Sequence, residues 1–404
     1  MTIEMDMIQT IGLAVILLLI GRYLRSKIYF FQKFAIPAAV IGGFLFAIIH
    51  LILRLTNTAA FEFDTTLQSF FMTIFFTSIG FGASIKILKI GGPKVIKFLL
   101  LASILCVLQN FLAVGLARPV GVEPGLALMT GSTPMTGGHG TSAGIAPLVE
   151  ASGVVGAETV AYSAATFGLV VGSLMGGPLA NKLILKNNLL EKKKNEEEVV
   201  VDESILKEEE KVLDGKKIQL GFFAILVAMG IGVYISKFFN GQIAKLTDKA
   251  ALPIYIGPML LGILFRYISD RGSNFLPNEE ISIAGELGLN LFLSMALMTL
   301  KLWELVELAV PMLILLLAQT ILMALFAYFV TYKVMGNNYD SAVIAGGHCG
   351  FGMGATPNGV ANMESICDKF VYSKMAFFVL PIVGGMFIDF TNVLIITIFL
   401  GIFA

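Results

Sequence analysis

The stretch Gly346-Gly-His-Cys-Gly-Phe-Gly-Met-Gly-Ala-Thr-Pro-Asn-Gly359 lies in an apolar region of the chain and contains six glycines and a proline. Glycine adopts positive φ readily and lets a ligand approach the backbone, while proline interrupts a helix. A segment exposed to lipid must satisfy its own backbone groups, so this composition requires surrounding protein or a water-filled cavity. We therefore expect residues 339–362 to form a re-entrant hairpin, which enters and leaves the membrane on one face.

A second stretch of the same kind lies earlier in the chain, Gly131-Ser-Thr-Pro-Met-Thr-Gly-Gly-His-Gly-Thr-Ser-Ala-Gly144. Both stretches contain Gly-Gly-His and a Thr-Pro step, which predicts a second hairpin over 124–147. Freed N–H groups and helix N-termini bind anions such as carboxylates, whereas freed carbonyls and hydroxyls suit a hard cation. Hairpins that enter from opposite faces would meet near the midplane and form a binding site there. The alternative is that the glycines serve only close helix packing.

The chain around these stretches has the composition of a membrane protein. Of its 404 residues 56% are hydrophobic and 14% are charged, with a mean hydropathy of +0.85. Soluble chains carry about 25% charged residues, so a soluble enzyme, a disordered protein and a nucleic-acid binder are all disfavoured. Ten apolar runs are long enough to span a bilayer. The predicted spans are 7–24, 35–53, 70–90, 95–117, 157–185, 218–239, 250–267, 281–302, 305–333 and 371–401.

A charged stretch divides the spans into two equal sets. It includes Glu191-Lys-Lys-Lys-Asn-Glu-Glu-Glu198 and predicts a cytoplasmic linker over 186–217 between membrane halves 1–185 and 218–404. Each half has five spans and one hairpin in the same order, and an odd number of spans puts the second half upside down. The sequence thus predicts an all-α polytopic membrane protein built as an inverted-topology repeat.

The basic residues predict the orientation of this fold. With the N-terminus outside, 22 of the 28 lysines and arginines fall on the cytoplasmic side. Both termini are therefore predicted to be extracytoplasmic. The net charge of zero implies no acidic or basic macromolecular partner, and the lipid bilayer is the partner that the composition requires.

Candidate substrate-binding residues lie in the two Gly-rich stretches, where His139 and His348 follow the same Gly-Gly pair. An ionisable group inside a membrane is a functional hypothesis by default. Either imidazole could donate to a substrate carboxylate or could merely fix the loop. The predicted substrate-binding residues are Thr133, Thr136, Gly137, Gly138, His139, Gly140, Thr141, Ser142, Gly347, His348, Gly350, Gly352, Gly354, Thr356 and Asn358.

Candidate sodium ligands lie on three predicted helices. Asp389 and Asn392 share a helix face at i and i+3, where they could complete a cation shell or hold a substrate ammonium group. Asn290 and Ser294 share a face at i and i+4, and Thr77 with Ser78 occupies the equivalent position in the first half. Polar packing against other helices is the alternative for all of them.

Several long strings of this chain resemble the bacterial sodium/glutamate symporters over nearly its whole length. They are Gly137-Gly-His-Gly-Thr141, Ala165-Thr-Phe-Gly-Leu-Val170, Gly176-Gly-Pro178, Ser294-Met-Ala-Leu-Met298, Leu300-Lys-Leu-Trp-Glu-Leu305, Gly346-Gly-His-Cys-Gly-Phe-Gly352, Gly354-Ala-Thr-Pro357 and Phe387-Ile-Asp389. The resemblance implies sodium-driven uptake of L-glutamate across the bacterial inner membrane. It also implies a ten-span fold with two re-entrant loops and a homodimer whose transport domain moves as an elevator against a scaffold.

The predicted function is therefore sodium-coupled import of L-glutamate, with the substrate held between the two hairpins. One alternative is a sodium- or proton-coupled symporter of another small dicarboxylate. Another is a channel, because re-entrant loops also occur there. An intramembrane enzyme with His139 or His348 as a base lacks a nucleophile or metal constellation, so the chain is predicted not to be an enzyme.

Overall fold

The computed structural model describes residues 2–34, 36–193, 214–243, 253–272, 275–305 and 308–403. The predicted linker falls partly outside these residues, because 194–213 is not among them. The described chain is helical apart from two parallel strands, β1 (Thr2–Met5) and β2 (Ala60–Phe63). In chain order the helices are α1 (Met7–Lys27), α2 (Tyr29–Lys33), α3 (Ala38–Leu55), α4 (Thr66–Gly82), α5 (Ile85–Ala117), α6 (Pro124–Leu128), α7 (Gly138–Ala151), α8 (Ala157–Lys186), α9 (Leu189–Lys193), α10 (Gly215–Ile243), α11 (Ile256–Arg271), α12 (Asn278–Met298), α13 (Ala309–Leu325), α14 (Tyr332–Met335), α15 (Tyr339–Gly352), α16 (Thr356–Lys369), α17 (Lys374–Ile382) and α18 (Ile388–Phe403).

Eight helices among the described residues are long and apolar enough to cross a membrane. They are α1, α3, α5 from Gly92 onward, α8, α10, α12, α13 continued through a π-helical turn into α14, and α17 continued through a second π-helical turn into α18. The predicted spans 70–90 and 250–267 overlap the shorter helices α4 and α11, and residues 250–252 lie outside the described residues. This architecture fits the predicted class, a helical polytopic membrane protein.

One predicted span ends earlier than its apolar run. The run 70–90 predicted a single helix, but α4 ends at Gly82 and α5 begins at Ile85. Between them the Ser84 hydroxyl donates a hydrogen bond to the Asp270 carboxylate of α11. The average hydropathy of the run does not predict this break, because the break depends on a polar partner that lies far away in the sequence.

Both Gly-rich stretches interrupt a helix. The first interrupted segment, 124–151, consists of α6, a run of turns over 129–137, and α7. The second interrupted segment, 339–369, consists of α15, a short break over 353–355, and α16. The ends of the second segment lie close together, because Val371 N–H donates to the Tyr339 hydroxyl at 3.1 Å and the Ser373 hydroxyl donates to Asp340 at 2.7 Å.

The helices pack in two groups. The first helix group contains α1, α3, α4, α10, α11 and α12, in which α4 packs against α11 and α12. The second helix group contains α5 to α8 and α13 to α18, in which α15 packs against α8 and α16. A Cβ atom at Gly168 of α8 would lie 2.0 Å from the Met353 carbonyl oxygen, so the contact between α8 and the end of α15 requires glycine there. The interrupted segments therefore belong to the second group and face the first.

Candidate functional site

Polar side chains from neighbouring helices form hydrogen bonds with backbone groups in the turn region 129–137. The Asn110 side-chain oxygen on α5 accepts the Ser132 N–H at 2.8 Å, and the Asn392 amide on α18 donates to the Ser132 carbonyl at 3.0 Å. Asn110 and Asn392 are both fully buried. Buried backbone groups need such partners where no regular helix supplies them, so these side chains make an unwound segment tolerable in an apolar interior.

Gln109 connects the two interrupted segments. Its side-chain oxygen accepts the Thr136 hydroxyl at 2.8 Å, and its amide donates to the Gly352 carbonyl at 2.8 Å. The backbone carbonyl of Gln109 accepts the Gln319 amide at 2.8 Å. The turn of the first segment and the end of α15 are therefore held in a fixed relation by one buried amide.

A cavity of about 270 Å³ lies where the two segments meet. Nine of the predicted substrate-binding residues and one predicted sodium ligand line it. They are Thr136, Gly137, Gly138, His139, Gly140, Thr141, Gly354, Thr356, Asn358 and Asp389. The segments touch here, because a Cβ atom at Gly138 would lie 2.7 Å from the Gly354 carbonyl oxygen. Gly138 also has a φ of 59°, which favours glycine at this position.

Three helix N-termini converge on this cavity. Pro37 precedes α3, Gly138 begins α7 and Thr356 begins α16, and all three residues line the cavity. The first turn of a helix leaves N–H groups without intrahelical partners and carries a partial positive charge. The cavity is therefore suited to an anionic group without a lysine or arginine in its lining.

His139 is held in one orientation at the cavity wall. The Thr166 hydroxyl donates its hydrogen to the Tyr162 carbonyl at 3.0 Å, so its oxygen accepts the His139 Nε2–H at 2.9 Å. In the neutral imidazole Nδ1 is then an acceptor. The ring thus presents a defined polar edge next to the three helix N-termini.

Two oxygen acceptors balance the helix N-termini. The Asp389 carboxylate lines the cavity. The Asn358 amide nitrogen donates to the Phe34 carbonyl at 2.9 Å and to the Ser173 hydroxyl at 2.6 Å, while its side-chain oxygen has no donor among the described residues. The cavity therefore offers both anion-binding and cation-binding groups, which is the arrangement that a zwitterion needs.

Six predicted substrate-binding residues lie outside the cavity lining. They are Thr133, Ser142, Gly347, His348, Gly350 and Gly352. The three glycines allow close packing, since Cβ atoms at Gly347 and Gly350 would lie 2.7 Å from Met363 and 2.6 Å from the Asn358 carbonyl oxygen. Thr133 and Ser142 are fully buried, and their hydroxyls have no hydrogen-bond partner among the described residues.

His139 and His348 do not occupy matching places, although both follow Gly-Gly. His139 is the second residue of α7, which leads away from the cavity, whereas His348 lies inside α15. The His348 Nδ1 atom is 2.9 Å from the Thr331 hydroxyl, and its ring is surrounded by Phe98, Phe326 and Phe351. His348 itself is fully buried and does not line the cavity.

The predicted sodium ligands are spread over three places. Thr77, Ser78 and Asn290 hydrogen-bond to carbonyls of their own helices, and Ser294 donates to the Ala14 carbonyl of α1 at 2.7 Å. Asp389 faces the cavity, and Asn392 lies one helical turn beyond it. Of this set, Asp389 and Asn392 lie near the contact between the interrupted segments, and Asn290 lines a second cavity together with Pro357 of the second segment.

Several apolar residues at the cavity were not predicted as site residues. Phe75 of α4 and Leu289 and Leu293 of α12 form the wall on the first helix group. Phe75, in the phenylalanine-rich run of α4, faces the cavity, and Phe76 is fully buried against Tyr255. The adjacent polar pair Gln109-Asn110 in an apolar helix was the available signal for the anchoring residues.

A second cavity of about 520 Å³ adjoins the first and shares Pro37, Leu289 and Pro357 with it. Its lining includes Arg22, Arg25 and Glu286. Arg22 and Arg25 lie near the end of α1 that is predicted to be cytoplasmic. We call this cavity the vestibule, because it leads from the site towards that face.

Comparison with known proteins gives one consistent family. The family model described as "Sodium/glutamate symporter" matches residues 3–372. The chain is 39% identical over 399 residues to the sodium/glutamate symporter of Escherichia coli (strain K12) and to that of Shigella flexneri, covering 98% of each chain. It is 36% identical over 388 residues to the sodium/glutamate symporter of Haemophilus influenzae, covering 95% of this chain and 94% of the relative. These relatives are named as symporters and not as enzymes, which confirms the predicted class of activity and the resemblance on which it was based.

Proposed function

Because the chain belongs to the sodium/glutamate symporter family, we propose that it is a secondary transporter that imports L-glutamate together with sodium ions. Its proposed location is the bacterial cytoplasmic membrane, with several membrane passes and both termini outside. The sodium gradient and the membrane potential would drive uptake, and the potential contributes about 2.3 kcal/mol per charge per 100 mV.

The observation that carries this proposal is that helix N-termini and oxygen-bearing side chains line the same cavity. Glutamate has two carboxylates and one ammonium group. The N-termini of α3, α7 and α16 would hold the carboxylates, and the Asp389 carboxylate, the Asn358 oxygen and the acceptor Nδ1 of His139 would hold the ammonium group.

A cluster of buried oxygens supports a sodium site beside this cavity. The side-chain oxygens of Ser132, Thr133 and Asn392 are buried and have no hydrogen-bond partner among the described residues. The Asn392 amide nitrogen donates to the Ser132 carbonyl at 3.0 Å, which places α18 against the turn region that contains Ser132 and Thr133. Hard cations prefer such oxygen ligands, and unpaired buried oxygens are costly unless a ligand satisfies them. Sodium bound here would fix the turn region 129–137 and the start of α18, on which Asp389 lies.

We further propose that the interrupted segments are re-entrant hairpins of an inverted repeat. The hydrogen bonds that join the ends of the second segment support this for 339–369. For the first segment, Leu126 of α6 and Ile145 and Val149 of α7 pack in one buried cluster. Both observations favour a chain that enters and returns on one face.

The two helix groups suggest an elevator movement. The cavity lies at their boundary, with Phe75, Leu289 and Leu293 on one side and the interrupted segments on the other. Movement of the second helix group along the first would carry the cavity between the two faces of the membrane. The resemblance to the family further implies a homodimer with the first helix group as the fixed part.

The experiment is uptake of labelled L-glutamate into proteoliposomes that contain the purified protein. With an inward sodium gradient we expect accumulation above the outside concentration, and with potassium in place of sodium we expect none. A sodium ionophore should abolish accumulation. Uptake driven by a proton gradient without sodium would identify a proton-coupled symporter, and equilibration without accumulation would identify a channel. Competition by aspartate and small dicarboxylates would measure the selectivity.

The sodium site has a separate test with a matched control. Asn392→Ala should weaken the stabilisation of the purified protein by sodium, measured as a thermal shift without glutamate. Asn187→Ala is the control, because Asn187 donates to the Leu183 carbonyl of α8 and lines neither the cavity nor the vestibule. Measuring without glutamate is necessary because two coupled ligands alter each other's affinity by equal factors. An equal thermal shift in Asn392→Ala and the unmodified protein would remove Asn392 from the site.

A further inference from the structure

An apolar groove with two lysines at its rim lies on the outer surface of the second helix group. The groove has a volume of about 600 Å³ and lies between the end of α8 and the π-helical turn Phe326–Thr331. Its apolar lining is formed by Met175, Pro178, Leu179, Ala324, Leu325 and Phe329. Leu325 and Phe329 are each 52% exposed, which is the exposure expected of side chains that contact lipid.

The basic residues of the groove are Lys182 and Lys186. They are one helical turn apart and therefore share a face of α8. Their Nζ atoms lie 5.7 Å and 6.0 Å from the centre of the Tyr328 ring, and the Lys186 Nζ is 3.4 Å from the Tyr328 hydroxyl. No carboxylate of a described residue lies within ion-pair distance of either lysine. The rim thus carries two positive charges, and among the described residues their neighbours are the ring and the hydroxyl of Tyr328.

The position of the groove indicates what neutralises these charges. α8 ends at Lys186, and the predicted orientation puts this end at the cytoplasmic face. A lysine at the end of a membrane helix extends its ammonium group to the headgroup level, while its methylene chain stays on apolar surface. The cytoplasmic leaflet contains anionic lipids, and basic pockets between membrane helices bind their headgroups.

We propose that this groove binds an anionic phospholipid. The phosphate lies between the Lys182 and Lys186 ammonium groups, Tyr328 lies beside it at the interface, and one acyl chain follows Leu179, Leu325 and Phe329 into the bilayer. The charge of the rim and the apolar groove below it together select a phospholipid over a free phosphate ion. This site is separate from the cavity between the interrupted segments and does not depend on the proposed transport activity.

The test is retention of phosphatidylglycerol by the purified protein, measured by native mass spectrometry in detergent with phosphatidylcholine as the neutral competitor. The variant is Lys182→Gln combined with Lys186→Gln. We expect its apparent affinity for phosphatidylglycerol to fall about thirtyfold, since each lysine near an anionic surface contributes about 1 kcal/mol. Lys182→Arg with Lys186→Arg should retain the lipid, because it keeps both charges.

The control variant is Lys216→Gln with Lys217→Gln at the start of α10. It removes the same charge from exposed lysines that do not line the groove. We expect it to retain phosphatidylglycerol like the unmodified protein. Unchanged retention in the Lys182 and Lys186 variant would overturn the proposal. An equal loss in the control would overturn it too, because retention would then depend on overall charge and not on the groove.

Discussion

The two interrupted segments share Gly-Gly-His and a Thr-Pro step but use them differently. In the first, Gly137, Gly138 and His139 lie at the cavity, where glycine exposes the backbone at the start of α7. In the second, Gly346, Gly347 and His348 lie inside α15, where glycine lets α8, α16 and α17 pack closely. The residues of the second segment that line the cavity are instead Phe351, at the end of α15, and residues 354–358.

The order of the motifs explains this difference. In the first segment the Thr-Pro step at 133 precedes Gly-Gly-His, whereas in the second Gly-Gly-His precedes the Thr-Pro step at 356. Each helix that leads away from the cavity begins with a different motif, Gly138-His139 in one and Thr356-Pro357 in the other. Shared composition therefore indicates a shared need for a broken helix, but it does not show which residues face the ligand.

The largest effect that would test this comparison is expected from Gly138→Ala. The substitution combines a φ of 59° with a Cβ atom 2.7 Å from the Gly354 carbonyl, so the two segments must separate. Strain of about 1–3 kcal/mol predicts glutamate uptake roughly 5- to 150-fold lower. The control is Gly121→Ala, which has a φ of 76° and no atom within 4 Å of the added carbon. Equal uptake by the two variants would contradict a contact between the segments.

Gly347→Ala is the corresponding change in the second segment and should affect stability instead. The new Cβ atom would lie 2.7 Å from Leu380 and Met363, so the core must rearrange at a cost of about 1–3 kcal/mol. We expect a lower melting temperature in detergent and an unchanged KM for glutamate. Gly177→Ala on α8 is the control, because no atom lies within 4 Å of its added carbon. A raised KM with an unchanged melting temperature would show that Gly347 belongs to the binding site after all.

The two histidines offer a third contrast. His139→Ala removes a hydrogen-bonding group from the cavity, and we expect the KM for glutamate to rise about tenfold, as the loss of about 1.4 kcal/mol implies. His348→Ala removes a buried ring among Phe98, Phe326 and Phe351, so it should lower the melting temperature and leave KM nearly unchanged. The reverse pattern, with KM affected only at His348, would show that the segments exchange the roles described above.

The smallest effect is expected in the vestibule, which adjoins the second segment at Pro357. Arg22→Gln with Arg25→Gln should raise the KM for glutamate on the predicted cytoplasmic side about two- to threefold at low salt, because exposed charges attract an anion weakly and are screened. Exchange from the inside of proteoliposomes at low and high ionic strength measures this. Lys27→Gln with Lys33→Gln removes the same charge outside the vestibule. An effect of equal size at both salt concentrations would rule out electrostatic attraction.

The site could be predicted only in part, and particular residues show why. Asp389 and Asn392 could be predicted because an acid and an amide one helical turn apart stand out in an otherwise apolar span. Gln109 is not among the predicted site residues, although it hydrogen-bonds to both interrupted segments. Its partners are Thr136, 27 residues away, and Gly352, 243 residues away, and no local pattern encodes such separations.

The sequence by itself determined the class of fold and the two places where the helices break. Apolar runs of membrane length and clustered glycine and proline are local properties, and a bilayer accepts few backbone conformations. Only the tertiary structure decided which glycine exposes backbone and which one packs, because that depends on the helix lying opposite. It also decided that Phe75, Leu289 and Leu293 form the far wall of the cavity, since the facing of a side chain follows from how two helix groups meet.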